Sequence, residues 1–302
     1  MVTTINIVVA TDNHYAVLLA ALIKSVEINH KTGEPIKFTV IDDGVSSTNK
    51  EKINNSARSD LISIEWIKSK KAVPEGIKLP LDKTSFPLTA YLRIFAPYVV
   101  PEDAVKIIYL DVDVIVMTDI SDFFKIDLKG HLFGAIQDVQ ETVSCSWAGI
   151  PNYKELGIHP DTKYFNSGVL LIDAPRWRNE NVAERVIKAL HDNEKYVNYA
   201  DQYGLNVVLY DQWRQIAPDW NNFAFQEIEN PKIIHFLDVK PIFDTYISSE
   251  RYKDFFYKYL SQTPFSNFKI ISGKRRFIKK MTTKCKKKFF RLFSFSNHGK
   301  KK

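Results

Sequence analysis

A chain of 302 residues with 45% hydrophobic and 25% charged residues can bury a large core, which excludes an intrinsically disordered protein. The longest apolar run, AVLLAALI at 16–23, is far short of the roughly 20 residues a membrane-spanning helix needs, and Cys145 and Cys285 have neither disulfide-framework nor zinc-type spacing. The net charge of +7 is unevenly spread: residues 274–302 hold 13 of the 42 Lys and Arg and no acid, so the remainder carries 29 basic against 35 acidic residues, a net of −6.

The opening MVTTINIVVATDNH has no basic leader before its apolar stretch, and an Asp soon interrupts that stretch. A secretory signal is therefore not expected, and a reducing cytoplasm fits the cysteine usage. INIVVA (5–10) reads as a buried strand, TDNH as a polar loop, and Leu18, Ala21, Leu22, Ser25 and Val26 fall at helical spacing. IKFTVI (36–41) is the next strand. Thr48 and Glu51 form a candidate capping box for a helix to about Arg58, followed by the strand-like LISIEWI. This βαβαβ alternation predicts an α/β fold with a mostly parallel central sheet and helices on both faces. A further helix is expected over LTAYLRIF (88–95), ended by Pro97, with strands at LFGAI, FNSGVLLI and KIIHFL. One long helix is expected from about Pro175 to His191, and a short one near DQYGLNVVLY. Residues 1–265 read as one domain and 266–302 as a separate basic tail.

KIIYLDVDVIVM (106–117) has the apolar density of a buried strand, yet it carries Asp111 and Asp113. Two carboxylates one residue apart project from the same side of an extended chain, and burying them without a partner is costly. Ligands of open α/β sheets sit beyond the carboxyl ends of the strands, so acids delivered there suit a hard cation such as Mg²⁺ or Mn²⁺. The bland alternative is that they cap backbone N–H groups or bind an Arg.

IVVATDNHY, AYLR (90–93), YLDVDVIV, FGAIQD, YFNSGVLLID (164–173), ADQ (200–202) and IIHF (233–236), in this order, resemble glycosyltransferase family 8, and in particular its bacterial lipopolysaccharide galactosyl- and glucosyltransferases. The resemblance implies a GT-A nucleotide-sugar-binding fold. It also implies transfer of a hexose from UDP-galactose or UDP-glucose, with retention, to a saccharide or lipid-linked acceptor such as lipopolysaccharide core. Carried over by position, Ala10, Asp12 and Tyr15 would hold the uridine, and Asp111, Asp113 and His235 would bind Mn²⁺ or Mg²⁺. Arg93, Asp138, Asn166, Asp201 and Gln202 would hold the donor sugar and phosphates, with Gln202 nearest the reacting carbon and Asp201 the other catalytic candidate. Each has a purely structural alternative: Tyr15 a helix-start packing residue, His235 a satisfied core histidine, Arg93 and Asp201 ion-pair partners, Asn166 a turn residue, Asp138 a loop cap. Gln202 is a poor nucleophile, which favours front-face attack by the acceptor hydroxyl over a covalent intermediate.

The chain departs from the family at HFLDVKPIFD. Asp238 stands where a glycine is expected, the loop is one residue short, and Ile242 replaces an aromatic, which leaves the diphosphate role of Lys240 open. In the tail, Phe277, Ile278, Met281, Cys285, Phe289, Leu292 and Phe293 share about half of a helical wheel and most Lys and Arg the other half. Such a helix suits an anionic membrane surface, which predicts a peripheral protein on the inner face of the cytoplasmic membrane. A disordered basic end is the alternative; nucleic acid is not an expected partner, since the acidic body offers no second basic surface. Two other functional readings share the crevice logic: a nucleotidyltransferase making the sugar nucleotide, and an inactive membrane-associated binding module.

Overall fold

A computed structural model of the chain describes residues 3–57, 60–80, 86–275, 277, 278, 281, 282 and 285. The expected alternation opens it: β1 (Ile5–Asp12), α1 (Ala16–Asn29), β2 (Ile36–Asp43), α2 (Ser47–Asn54) and β3 (Ile62–Lys68), followed by the single turn α3 (Ser69–Ala72). A 3₁₀ helix spans Leu88–Tyr98, then come β4 (Lys106–Leu110), β5 (Val114–Val116), α4 (Ile120–Phe124), β6 (Phe133–Thr142) and β7 (Lys163–Asp173). The chain continues through α5 (Ala174–Asn179), α6 (Val182–Asp192), α7 (Ala200–Leu209), β8 (Trp213–Gln215), β9 (Asn222–Phe223), β10 (Ile233–His235) and α8 (Glu250–Leu260).

Seven strands form one sheet in the order β3-β2-β1-β4-β7-β6-β8, and β5-β10-β9 form a second, small one. Pairs from β3 to β4 are parallel, as is β6 with β8, whereas β7 runs antiparallel to both of its neighbours. Alternating strand side chains divide the core. Ile5, Ile7, Val9, Ile108 and Leu110 pack with α1, α8 and the small sheet, while Val8, Ala10, Ile107 and Tyr109 pack with the 3₁₀ helix and α5–α7. Helix α1 is buried all round from Ala16 to Val26, more completely than its one-sided spacing implies, because both the sheet and α8 cover it.

Several local expectations change. Segment 106–117 is not one strand: β4 ends at Leu110, and β5 begins at Val114 in the other sheet. The cap of α2 is Ser46, whose hydroxyl accepts from Asn49 N, rather than Thr48, and the helix ends at Asn54; Arg58 lies outside the described residues. Pro97 sits inside the 3₁₀ helix, one residue before its end, instead of terminating it. The expected helix from Pro175 to His191 is two helices, broken where Asn181 takes a left-handed φ of 49°.

Beyond residue 265, Phe268 and Ile271 still pack on the core, and Ile271 exchanges backbone hydrogen bonds with Ile242 (2.9 Å) and Asp244 (3.1 Å). Described residues from Gly273 onward are helical, with Phe277, Ile278, Met281 and Cys285 exposed. Phe289, Leu292 and Phe293, named for the apolar face, lie outside the described residues. No helix among the described residues is long and apolar enough to cross a membrane.

Candidate active site

Parallel pairing brings β1 and β4 out at the same sheet edge, with Asp12 closing β1 and Asp111 directly after β4. The Asp-Val-Asp turn is pinned on both sides by backbone. Asp111 N donates to Gly168 O at 2.7 Å, and Phe236 N donates to Asp113 O at 2.9 Å. Pairing of β5 with β10 then sets His235 opposite Val114, so residues separated by more than 120 positions converge. Ligand atoms of Asp111, Asp113 and His235 all lie within 4.8 Å of one another, the one such acid and histidine group among the described residues. His235 Nε2 lies 3.4 Å from Asp113 Oδ1 and 3.9 Å from Asp111 Oδ2.

Asn221 fixes the histidine. Its amide nitrogen donates to Asn166 Oδ1 at 2.9 Å, so its carbonyl oxygen, 2.9 Å from His235 Nδ1, must accept the ring proton. That leaves the Nε2 lone pair turned toward the carboxylates, the tautomer a metal ligand needs. Two carboxylates and one imidazole also form the donor set that Mn²⁺ accepts, so the residues fit a divalent cation.

The protein's own cations hold this acidic cluster together. Arg93 reaches Asp111 Oδ1 at 3.0 Å, Asp111 Oδ2 at 3.1 Å, Asp201 Oδ2 at 2.8 Å and Ser167 Oγ at 3.0 Å, while the Tyr109 hydroxyl donates to Asp111 Oδ1 at 2.9 Å. The ion-pair role considered for Arg93 and Asp201 is thus present. Lys240 pairs with Asp113 and donates to Phe236 O at 2.7 Å. Burial pushes the Asp113 carboxyl up, but the Lys240 ammonium beside it holds it well below the ordinary carboxylate range. Burial works against the Arg93 charge too, and Asp111 and Asp201 outweigh it, so the guanidinium stays ionised.

From His235 a chain of side-chain hydrogen bonds runs through Asn221 and Asn166 to Asp138 Oδ2 (3.0 Å), which also accepts from Gln202 Nε2 at 2.8 Å. Gln202 Oε1 in turn accepts from Ser167 N at 3.0 Å. All five polar residues expected around a donor sugar, Arg93, Asp138, Asn166, Asp201 and Gln202, line one pocket of about 580 Å³, and Asp111, Asp113 and His235 line it as well. Ala10, Asp12, Tyr15 and Lys240 line the same pocket, so every candidate site residue converges there. Asp12 Oδ1 accepts from the backbone N–H groups of His14 (2.9 Å) and Tyr15 (3.1 Å), which fixes the loop that presents the Tyr15 ring.

Two comparisons and one family model place this geometry. The model for glycosyl transferase family 8 matches residues 6–245. The chain belongs to glycosyltransferase family 8. General stress protein A of Bacillus subtilis is 27% identical over 279 residues, covering 85% of this chain and 93% of that protein. Glycosyltransferase GlyF of Streptococcus pneumoniae is 26% identical, and the match spans 84% of this chain but 61% of that protein. Among solved structures, galactosyltransferase LgtC in complex with donor and acceptor sugar analogues superposes with a TM-score of 0.71 at 22% identity, covering 86% of this chain and 96% of that one. At that identity the likeness shows the GT-A fold, and it sets aside the nucleotidyltransferase reading only together with the family match.

In this glycosyltransferase the position where a glycine is expected takes a backbone conformation that favours glycine. Asp238 has a φ of 54°, a left-handed geometry that costs an L residue about 1–2 kcal/mol, less for Asp than for most. The aromatic expected at position 242 is supplied one residue later: Ile242 is buried in the core, and Phe243 lines the pocket, its ring centroid 5.8 Å from that of His14. Asn221, Tyr109, Ser167 and Phe243 escaped the sequence reading. Tyr109, Ser167 and Phe243 lie in the quoted stretches YLDVDVIV, YFNSGVLLID and HFLDVKPIFD, where they carry no site signal of their own, and Asn221 lies in none.

Asp201 makes the site pH-sensitive. Burial pushes its carboxyl up to about 7, Arg93 opposes, and Asp111 adds to the rise. The folded state therefore binds this proton more tightly than the unfolded chain. Its contribution is fully present below the unfolded value near 3.8 and is lost as pH rises through about 7. Stability to urea is expected to fall between pH 5 and pH 8, by a few kcal/mol at most, and Asp201→Asn to flatten that slope.

Proposed function

We propose that this glycosyltransferase moves a hexose, glucose or galactose, from a UDP-sugar to a saccharide or lipid-linked acceptor such as lipopolysaccharide core, with retention of configuration and dependence on Mn²⁺ or Mg²⁺. The observation that carries the reading is one pocket lined together by the Asp111, Asp113 and His235 cluster, the Tyr15 loop and the hydrogen-bonded set Asp138, Asn166 and Gln202. Tyr15 offers an aromatic face to uracil, and Asp12 with the end of β1 at Ala10 forms the rest of the nucleoside crevice. A divalent cation held by Asp111, Asp113 and His235 would offset the charge on the departing diphosphate. Lys240, beside Asp113, supplies a second positive charge on that side. Asp138, Asn166 and Gln202 give the fixed acceptors and amide donors that a hydroxyl-rich ring requires.

In the reaction the bond from the anomeric carbon to the diphosphate oxygen breaks, the acceptor oxygen bonds to that carbon, and the acceptor proton passes to the leaving diphosphate. In this reading Gln202 lies beside the reacting carbon and steadies its oxocarbenium-like state through the lone pairs of its amide oxygen. Its carbonyl oxygen is already committed to Ser167 N and its amide to Asp138, which supports front-face attack over a covalent adduct. Relatives support the substrate class. A lipopolysaccharide 1,2-glucosyltransferase of Escherichia coli is 29% identical over 119 residues, and LgtC has been crystallised with donor and acceptor sugar analogues.

The basic tail fits the same setting, since its described apolar residues Phe277, Ile278 and Met281 are exposed and its cations suit anionic lipid at the inner face of the cytoplasmic membrane. Two assays test the reading, one for the reaction and one for the tail. UDP release from a panel of UDP-sugars is expected with UDP-glucose or UDP-galactose, only with Mn²⁺ or Mg²⁺ present, and co-sedimentation with phosphatidylglycerol vesicles is expected to disappear when residues 274–302 are removed. No release from any donor despite UDP binding would favour an inactive binding module, and vesicle binding that survives truncation would remove the tail from its anchoring role.

A further inference from the structure

Trp147 is 63% exposed, a large aromatic left open on the wall of the pocket that holds the candidate catalytic residues. It is not on a loose loop. Backbone bonds close the turn that carries it: Gly149 N to Cys145 O at 2.8 Å, Ile150 N to Val143 O at 2.8 Å and Cys145 N to Thr142 O at 3.2 Å. Gly149 allows that closure, because a Cβ there would meet Val143 O at 2.2 Å and Cys145 O at 2.7 Å. Val143, Ala148 and Ile150 are buried beneath the turn, and Asn198 Nδ2 ties Gly149 O to the loop before α7 at 2.8 Å. The fold thus spends buried contacts on holding an indole ring out at a ligand site.

A second feature points the same way. Gln140 lies two residues after Asp138 on β6, is 5% exposed and, like Asp138, lines the pocket. Its Nε2 makes no hydrogen bond of ordinary length among the described residues, although the buried Tyr164 hydroxyl lies near enough to interact with it. A buried amide donor satisfied so weakly can turn to a ligand hydroxyl. Asp138 is the far member of the hydrogen-bonded chain that starts at His235, and Gln140 and Trp147 follow it in sequence and line the same pocket.

We propose that Trp147 and Gln140 form the acceptor subsite, with the indole stacked on the apolar face of an acceptor pyranose and Gln140 Nε2 donating to one of its hydroxyls. The assignment rests on the donor-site reading above. Aromatic rings suit the C–H face of a sugar, and a preorganised ring loses little entropy on binding. Tyr199, adjacent to the Asn198 tie and on the pocket wall, completes an aromatic edge with Phe86, their centroids 6.0 Å apart.

The test uses the full chain with UDP and Mn²⁺ and follows tryptophan fluorescence as methyl glycosides of glucose, galactose, N-acetylglucosamine, lactose and maltose are added. Trp177, Trp213 and Trp220 are buried, and Trp66 is engaged with Asn54 on β3, so a change lost in Trp147→Phe reports this ring. At least one glycoside is expected to give a saturable change in the wild type that is absent in Trp147→Phe. For that glycoside the KM for transfer is expected to rise about tenfold in Trp147→Ala, less in Trp147→Phe, and several-fold in Gln140→Leu. No saturable change with any glycoside, a change that survives in Trp147→Phe, or a saccharide KM equal in all variants would overturn the assignment. Saccharide-dependent fluorescence without UDP release from any donor would instead overturn the donor reading and leave a saccharide subsite standing.

Discussion

Asp113→Asn and Asp111→Asn are each expected to lower metal-dependent UDP release about 10³-fold, on the order of 4 kcal/mol of barrier, while the chain stays folded. Both replacements keep the side-chain shape and remove the charge. Fold is retained because the turn is held by main chain: Asp111 N to Gly168 O and Phe236 N to Asp113 O are untouched. Arg93 keeps Asp201 as its partner when Asp111 is neutralised, and Tyr109 can still donate to an amide oxygen. Lys240 loses its counter-charge when Asp113 is neutralised, so that variant should show the larger drop in thermal midpoint, by a few degrees. Mn²⁺ titration beside circular dichroism checks both halves. Wild-type turnover in either variant would show that these carboxylates do not serve the reaction.

The parts of this site that are legible in the sequence are those carried by short local patterns. Asp111 and Asp113 stand out because acids interrupt an apolar run, and the β1 loop with Asp12 and Tyr15 because a strand gives way to polar residues and then to helical spacing. Family likeness then joins His235 to the acids, which no spacing rule could do. What stays hidden is tertiary. Asn221 sits in WNNFAF, an unremarkable stretch, and acquires its role only because β10 brings His235 against it. FNSGVLLI reads as a strand covered on both faces, and that density is the same whether its neighbours run parallel or antiparallel, so the reversed direction of β7 is not written in it. The break between α5 and α6 hinges on one left-handed Asn inside a polar run that helical spacing tolerates.

The strand that reverses also imposes the tightest steric condition on the site. Gly168, on β7, passes so close to the ligand set that a Cβ there would lie 2.5 Å from His235 Cε1, 2.8 Å from Asp111 Oδ2 and 3.1 Å from Asn166 Oδ1. Its backbone is not in the left-handed region, so the requirement is for space alone. Gly168→Ala must push the imidazole from the carboxylate or move the strand, and Gly168 N and O are both tied, to Asn166 Oδ1 at 2.9 Å and Asp111 N at 2.7 Å. Movement of the side chains is the softer response. Mn²⁺ affinity, measured by calorimetry, is therefore expected to fall at least tenfold and turnover about 100-fold, with an overpacking cost of about 1–3 kcal/mol in urea unfolding. Loss of stability alone would be a packing effect anywhere in the core. Loss of cation affinity, with UDP binding in the absence of metal retained, ties the glycine to the ligand geometry, whereas wild-type Mn²⁺ affinity in Gly168→Ala would mean that the cation is not held between Asp111 and His235.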